Sequence, residues 1–229
     1  NGKGSVIAFL YSVLSEAGYR VGRYVSPTLY SYRGRMEISG KRISRDSFAA
    51  YMTQVADVIA AMTEDGYPHP TAFEIETAVA FLFFRNENCD LVLLEVGMGG
   101  NLDATNIIRN TMLSVLVSIS MDHMSFLGNT LGEIAEKKAG IIKENSHVVT
   151  ALQKKEAMDV ICSQCEKCHA ECVVADPRKA QVLAVMVSSP ASMEWSPVQR
   201  ISRHHPIKPQ IRKFFFKSGF LLYINLTCL

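Results

Sequence analysis

An α/β fold with a mostly parallel, doubly wound sheet is predicted by three features of the sequence. Leu91 to Val96 and Leu113 to Ile119 are nearly continuous apolar runs, which suit strands buried on both faces. Helical and strand patterns alternate along most of the chain, the order that puts helices on both sides of a parallel sheet. Apolar residues make up 48% of 229 positions, enough to offset chain entropy in a sizeable core and to exclude a disordered or collagen-like chain.

The elements follow in order. Ser5 to Ala17 carries Val6, Phe9, Leu10, Val13 and Leu14 at helical spacing, and Gly18 stands where a left-handed cap ends a helix. Tyr19 to Ser26 reads as a short strand stopped by Pro27. Ser44 to Asp65 is a long amphipathic helix with Val55, Val58 and Ile59 as core candidates, ended by Gly66. Thr71 to Arg85 is a second, more apolar helix that packs on the sheet. The two apolar strands come next, then a helix over Thr130 to Ala139 with Gly140 near its end. His147 to Ala151 is a strand, Lys155 to His169 a helix and Cys172 to Ala175 a strand. After Asp176 the pattern fades: Pro177, Pro190, Pro197, Pro206 and Pro209 punctuate a segment that ends in the Phe214 to Phe216 run and an apolar C-terminus. The expected division is a domain over 1–176 and a poorly defined tail over 177–229.

Charge narrows the function classes. With 24 Lys and Arg against 22 Asp and Glu, the formal charge of +2 supplies no basic field for nucleic acid. The longest uncharged stretches, 181–193 and 218–229, are shorter than the roughly 18 apolar residues that suggest a membrane span. No basic segment followed by an apolar run opens the chain, so a soluble cytoplasmic protein is expected. The chain begins inside a motif, Asn1-Gly2-Lys3-Gly4-Ser5, and reads as a piece of a longer protein.

That motif is suitable material for a phosphate cradle. Glycines let backbone N–H groups approach an anion, a helix N-terminus favours negative charge, and Lys3 adds a cation. An ordinary glycine-rich turn is the competing reading, because Gly4 separates Lys3 from Ser5 where the common phosphate loop has Ser or Thr directly after Lys. Glu95 closes an apolar strand just before Gly97-Met98-Gly99-Gly100, which puts a hard carboxylate at the sheet edge where open α/β folds bind ligands. A solvated strand end would look the same. Asp122-His123 follows the next apolar strand, so it is expected on the same edge.

Taken together, several short segments resemble folylpolyglutamate synthases and bifunctional dihydrofolate synthases of the Mur-ligase superfamily. They are Asn1 to Ser5, Ser26-Pro27, Thr71 to Glu74, Glu95 to Gly100, Leu102 to Asn106, Asp122-His123 and Glu136 to Ile141, in family order over residues 1 to about 176. The resemblance implies a P-loop NTPase-like central domain and an ATP-dependent amide ligase. In that family ATP phosphorylates a folate or dihydropteroate carboxylate, and the amine of L-glutamate displaces phosphate from the acyl phosphate. It further implies that Gly2, Lys3, Gly4 and Ser5 hold the ATP phosphates, and that Ser26 and Glu95 ligate one Mg²⁺ and His123 a second. Lys3, Glu95, His123 and Lys138 are the implied catalytic group, Lys138 by matching a lysine that the family modifies to a carbamate. A surface lysine beside Lys137 is the plainer alternative. Thr71, Ala72, Phe73, Glu74 and Leu102 match positions lining the pteroate site, although Phe73 equally suits the core.

Three residues depart from the family pattern: Thr28 for His, Gly34 for Glu and Asn101 for Arg. The small molecules ATP, folate or dihydropteroate and L-glutamate are the expected partners, the full-length protein is expected to be a monomer, and this chain by itself is expected to be inactive. A non-catalytic ATP-binding remnant is the alternative. A different class is raised by Cys162, Cys165, Cys168 and Cys172, spaced as in bacterial ferredoxins, with Cys165 to His169 also matching a c-type haem attachment pattern. Against an iron–sulfur electron-transfer module stand the helical pattern of Met158, Ile161 and Cys165 and the absence of Pro after Cys172. Free thiols of a reducing compartment are the alternative.

Overall fold

The computed structural model describes residues 2–28, 30–121, 124–179 and 222–227. Among the described residues, six α-helices and eight strands follow in chain order: α1 (Lys3–Glu16), β1 (Val21–Tyr24), β2 (Met36–Ile38), β3 (Lys41–Arg42), α2 (Arg45–Glu64), α3 (Ala72–Asn86), β4 (Leu91–Glu95), β5 (Thr111–Leu116), α4 (Met124–Leu127), α5 (Leu131–Ala139), β6 (His147–Ala151), α6 (Lys155–Lys167), β7 (Glu171–Ala175) and β8 (Leu222–Thr227). The strands form one sheet in the order β3-β2-β1-β4-β8-β5-β6-β7. From β1 to β7 across the sheet every pairing is parallel, and the β1–β2 and β2–β3 pairings at the other edge are antiparallel.

Alternation along β4 assigns its faces. Val92 and Leu94 join a core cluster with Val79, Phe83 and Phe84 of α3 and Val55 of α2. Leu91, Leu93 and Glu95 therefore point to the opposite face, where α1 packs with Ile7 and Leu14 buried. Gly22 of β1 is required by packing: a Cβ there would lie 2.7 Å from the Phe84 ring. A second cluster joins Leu116 and Val148 to Ile134 and Ala135 of α5 and Ile161 and Cys165 of α6.

Helix ends obey the local rules. Gly18 has φ 91°, its N–H reaches the Ser15 carbonyl at 3.0 Å, and the Tyr19 N–H reaches Leu14 at 3.2 Å, a Schellman ending. Thr71 and Glu74 form a capping box on α3, with the Thr71 N–H donating to Glu74 Oε2 at 2.7 Å. The Thr71 hydroxyl and N–H hold the Glu74 carboxyl below its ordinary range. Thr71→Ala is expected to lower stability by about 1 kcal/mol in urea unfolding at neutral pH. Because the Glu74 pKa is depressed on folding, its share is present above the unfolded carboxyl range and fades as pH falls through the folded value, so the deficit should narrow in acid.

Two parts of the chain differ from the sequence reading. The hairpin β2–β3 was not anticipated; its two-residue turn, Ser39 (φ 46°) and Gly40 (φ 80°), has the positive-φ geometry that matches strand twist. More consequentially, the expected tail over 177–229 is not wholly outside the domain. Leu222–Thr227 is a central strand, parallel to and hydrogen-bonded between β4 and β5, because a buried sheet needs both inner strand edges satisfied. Asp176–Lys179, the described part of a second unit over Asp176–Phe220, hold a 3₁₀ turn in which Arg178 binds the Asp176 carboxylate at 2.8 Å. Pro190, Pro197, Pro206, Pro209 and the Phe214 to Phe216 run lie outside the described residues. Among the described residues no helix is long and apolar enough to cross a membrane.

Candidate functional site

Strand ends at the carboxyl edge of the sheet converge on the start of α1. Gly2 adopts φ 102°, a left-handed conformation that suits glycine, and begins the helix with no side-chain cap and no acidic residue in its first turn. The N-terminal end of α1 thus presents its partial positive charge to the edge. Lys3 in that turn reaches back to Glu95, with Nζ 3.8 Å from Oε1. The Ser26 N–H, in the loop after β1, donates to the same carboxylate. A Cβ on Gly2 would stand 3.6 Å from Val117, which follows β5. The structure therefore gathers Gly2, Lys3, Ser26 and Glu95, with Gly4 and Ser5 exposed in the same helical turn.

Glu95 is 8% exposed. Burial pushes its carboxyl above the ordinary range, and the Lys3 ammonium and Ser26 N–H draw it back only in part. A carboxylate held this way is undercompensated, which favours a cation beside it.

The glycine loop after β4 is shaped by close approaches. A Cβ on Gly97 would meet Phe73 Cζ at 2.9 Å, and one on Gly100 would meet the Lys137 carbonyl oxygen at 2.5 Å. Gly140 lies under Asn101, where a Cβ would stand 2.4 Å from the Asn101 Cβ. The Asn101 N–H donates to the Lys137 carbonyl at 3.0 Å, so the loop is fastened to the end of α5. Gly100→Ala should drive the loop from α5 against backbone atoms that cannot turn aside. Destabilisation of about 1–3 kcal/mol is expected in thermal or urea unfolding, and unchanged stability would contradict this packing.

Asp103 organises the loop, a role that its place in the sequence motif does not by itself assign. Its Oδ2 accepts from the N–H groups of Gly97 (2.9 Å) and Met98 (3.0 Å), and its Oδ1 from the N–H and hydroxyl of Thr105 (3.0 and 2.6 Å). The signal was present: Asp before Ala-Thr is a capping residue, here starting a 3₁₀ turn over Ala104–Ile107. Gln153 was not anticipated. Its side chain accepts from the Ile119 N–H at 2.9 Å and donates to the Val117 carbonyl at 2.8 Å, bracing the loop after β5.

The remaining expected residues divide. Phe73 sits between Gly97 and Tyr24, its ring centroid 6.0 Å from the Tyr24 ring, so it is both packing and floor of the loop. Thr71, Ala72 and Glu74 are exposed in the first turn of α3, and Leu102 is 93% exposed beyond the glycines. Lys138 is not a surface lysine: it is 1% exposed in the last turn of α5, with its backbone against Gly100. His123, with Asp122, lies outside the described residues. Of the departures, Thr28 donates to the Ser31 carbonyl at 2.9 Å and Asn101 packs on Gly140. Sequence reasoning also passed over Arg35 and Glu76, which form an ion pair between the turn before β2 and α3; Glu76 is 8% exposed and its carboxyl is raised by burial against the pull of Arg35.

The electron-transfer alternative is not supported. Cys162, Cys165 and Cys168 ride on α6 and its cap while Cys172 lies on β7, and their burial differs, with Cys162 exposed, Cys165 buried and the other two half-buried. Among the described residues no three His, Cys, Asp or Glu side chains are grouped to hold a metal ion.

No family model matches the chain. Individual proteins do. The dihydrofolate synthase/folylpolyglutamate synthase of Bacillus subtilis is 44% identical over 171 residues, covering 74% of this chain and 39% of that protein. A Mycobacterium tuberculosis folylpolyglutamate synthase, solved with ADP and AMPPCP, superposes with a TM-score of 0.72 at 33% identity over 77% of this chain and 41% of its own. A folylpolyglutamate synthase complex with AMPPCP and folate gives 0.73 at 32% identity over 77% and 43%. These neighbours have the Mur-ligase fold. The chain spans about two fifths of the length of these three relatives, and within that span it belongs to the folylpolyglutamate and dihydrofolate synthase family.

Proposed function

We propose that this chain is the nucleotide-binding part of an ATP-dependent ligase that joins L-glutamate to the carboxylate of a folate or dihydropteroate through an acyl phosphate. The observation that carries this reading is the meeting of Lys3 and Ser26 on the buried carboxylate of Glu95 at the start of an uncapped helix. Phosphoryl transfer to a carboxylate brings two anions together, so a site for it must gather positive charge. The first turn of α1 with Gly2, Lys3, Gly4 and Ser5 provides N–H donors and an ammonium for the ATP phosphates. Gly97 to Gly100, held by Asp103, follows Glu95 directly and would form another wall of the site, and the exposed Thr71, Ala72, Glu74 and Leu102 with Phe73 would offer a lining for the acceptor.

The donor chemistry at Glu95 fits Mg²⁺. A carboxylate and a serine hydroxyl are hard oxygens, the undercompensated charge of Glu95 invites a cation, and Mg²⁺ takes one or two carboxylates together with substrate phosphates. Ser26 and Glu95 would hold one ion and His123 a second; bound there, Mg²⁺ neutralises phosphate charge. Lys138, buried behind the glycine loop, would support the second ion as a carbamate, which replaces its positive charge with a negative one. In the longer protein the amine of glutamate then attacks the activated carboxyl carbon and phosphate leaves. Such a protein acts in the cytoplasm on small molecules, as a monomer.

Phosphate release tests this reading. The protein extended to the full length of its relatives should release phosphate only when ATP, Mg²⁺, glutamate and dihydropteroate or tetrahydrofolate are all present. Absence of turnover would overturn it, and calorimetry with AMPPCP would then show whether nucleotide binding alone remains.

A further inference from the structure

Helix α5 ends without a left-handed cap. Its C-cap, Gly140, has φ −61°, so the carbonyls at this end need partners from elsewhere. Two are met locally, Lys138 by the Ile141 N–H at 3.4 Å and Ala139 by the Ile142 N–H at 3.0 Å. The other two are met across space. Lys137 accepts from the Asn101 N–H at 3.0 Å, and Gly140 accepts from Asn106 Nδ2 at 3.1 Å. The same Nδ2 donates to the Asn101 carbonyl at 3.2 Å, so one carboxamide joins the glycine loop to the end of the helix. Its own place is fixed from both sides. The Asn106 N–H donates to the Asp103 carbonyl at 2.8 Å, and the Lys143 ammonium donates to the Asn106 carbonyl at 3.1 Å. Beyond the helix, the Ser114 hydroxyl of β5 holds the Ile141 carbonyl at 3.0 Å.

The chemistry at position 106 is specific. A carboxamide on a one-carbon stem supplies two N–H protons in one plane, whereas a carboxylate supplies none and a hydroxyl one. Asn106 Oδ1 is buried and has no donor among the described residues. Turning the amide over would set that oxygen against two carbonyls, so the unpaired acceptor is the consequence of the clamp.

We propose that Asn106 is a positioning residue of the ligase site, setting the spacing between the glycine loop after Glu95 and the turn of α5 that carries Lys138. The inference rests on the ligase reading above and deepens it. The loop begins two residues after Glu95 and leads to the exposed Leu102, so its position sets where an acceptor would lie against the carboxylate. Across the clamp, a Cβ on Gly100 would stand 2.9 Å from the Lys138 carbonyl oxygen and 3.0 Å from its Cα. Lys3, Ser26 and Glu95 are joined by contacts that do not pass through Asn106. Loosening the clamp therefore displaces the acceptor wall and Lys138 while the phosphate cradle stays. A misplacement of about 1 Å can slow a reaction roughly a hundredfold.

Asn106→Asp keeps the side chain's shape and removes both donors. In the 229-residue chain, hydrogen exchange read by mass spectrometry should quicken about tenfold in peptides covering 97–101 and 137–143, with β1 and β6 unchanged. In the protein extended to the length of its relatives, kcat for phosphate release should fall at least about tenfold, while the Kd of AMPPCP with Mg²⁺ moves less than about threefold. A general loss of structure would instead quicken exchange throughout and weaken nucleotide binding in step. If the introduced charge prevents folding, the uncharged Asn106→Ala carries the same test. Unchanged exchange, unchanged kcat in an active full-length protein, or nucleotide binding that falls in proportion to kcat would each overturn the inference. A full-length parent that releases no phosphate would defeat the ligase reading itself, and this inference with it.

Discussion

A chain ended after residue 221 is expected to lose cooperative folding. β4 and β5 do not pair with each other; each pairs with β8, through Leu91–Glu95 on one side and Thr111–Leu116 on the other. Every residue of β4 is buried, so water cannot take over the N–H and C=O groups that β8 satisfies. Leaving such groups unmet costs about 1–3 kcal/mol each, and a handful exceeds the roughly 5–15 kcal/mol that holds a domain together. A gentler variant makes the same point. Ile224 pairs with Leu93 and Leu113, and Ile224→Pro removes a donor from the middle of a central strand while retaining the full length. Urea unfolding followed by circular dichroism should show a shallow, non-cooperative change for the truncated chain and a much lowered midpoint for the proline variant. A steep transition at the parent midpoint in both would place the strand elsewhere.

The parallel part of the sheet was legible because its signals are local. Leu91 to Leu94 is apolar without interruption, as a strand buried on both faces should be. Gly18 and Gly66 end helices, and both take the left-handed geometry expected there. β8 was not legible, for the converse reason. Leu222–Thr227 has the apolar character of a strand, but nothing within it names neighbours that lie more than a hundred residues earlier in the chain. Partner choice is a property of the gap between β4 and β5, not of the segment that fills it.

The candidate site divides along the same line. Glu95 could be placed on the α1 face by counting in twos along β4 from Leu91, and Lys3 by its position in the first helical turn. Asp103 could be recognised as a capping residue, but its grip on the N–H groups of Gly97 and Met98 depends on the loop folding back across six residues. Glu76 shows how a buried charge hides in a pattern. It falls on the core-facing side of α3 with Phe73, Thr77 and Ala80, and periodicity alone would call for an apolar residue there. Its partner, Arg35, comes from the turn Tyr32–Arg35 between β1 and β2, about forty residues earlier in the chain.

Removing the carboxylate of Glu95 should separate binding from stability. Glu95→Ala is expected to weaken Mg²⁺-dependent AMPPCP binding by about 2–5 kcal/mol, roughly 30-fold to several-thousand-fold in Kd, since truncating one member of a buried charged set leaves the others uncompensated. Glu95→Gln should weaken binding as well, yet its effect on folding runs the other way. The Glu95 pKa is raised in the folded state, so the folded protein holds its proton more tightly than the unfolded chain does. The associated stability is fully present below the unfolded carboxyl range and is lost as pH rises through the folded value. At neutral pH the ionised Glu95 is therefore a burden on the fold, and the neutral glutamine should raise Tm at pH 7 while the difference shrinks in acid. Calorimetric titration and thermal unfolding of the same preparations measure both. A glutamine variant that binds AMPPCP as the parent does would remove Glu95 from the site. One that binds weakly and melts lower at pH 7 would mean that Lys3 and Ser26 already compensate the charge, leaving no deficit for a cation to fill.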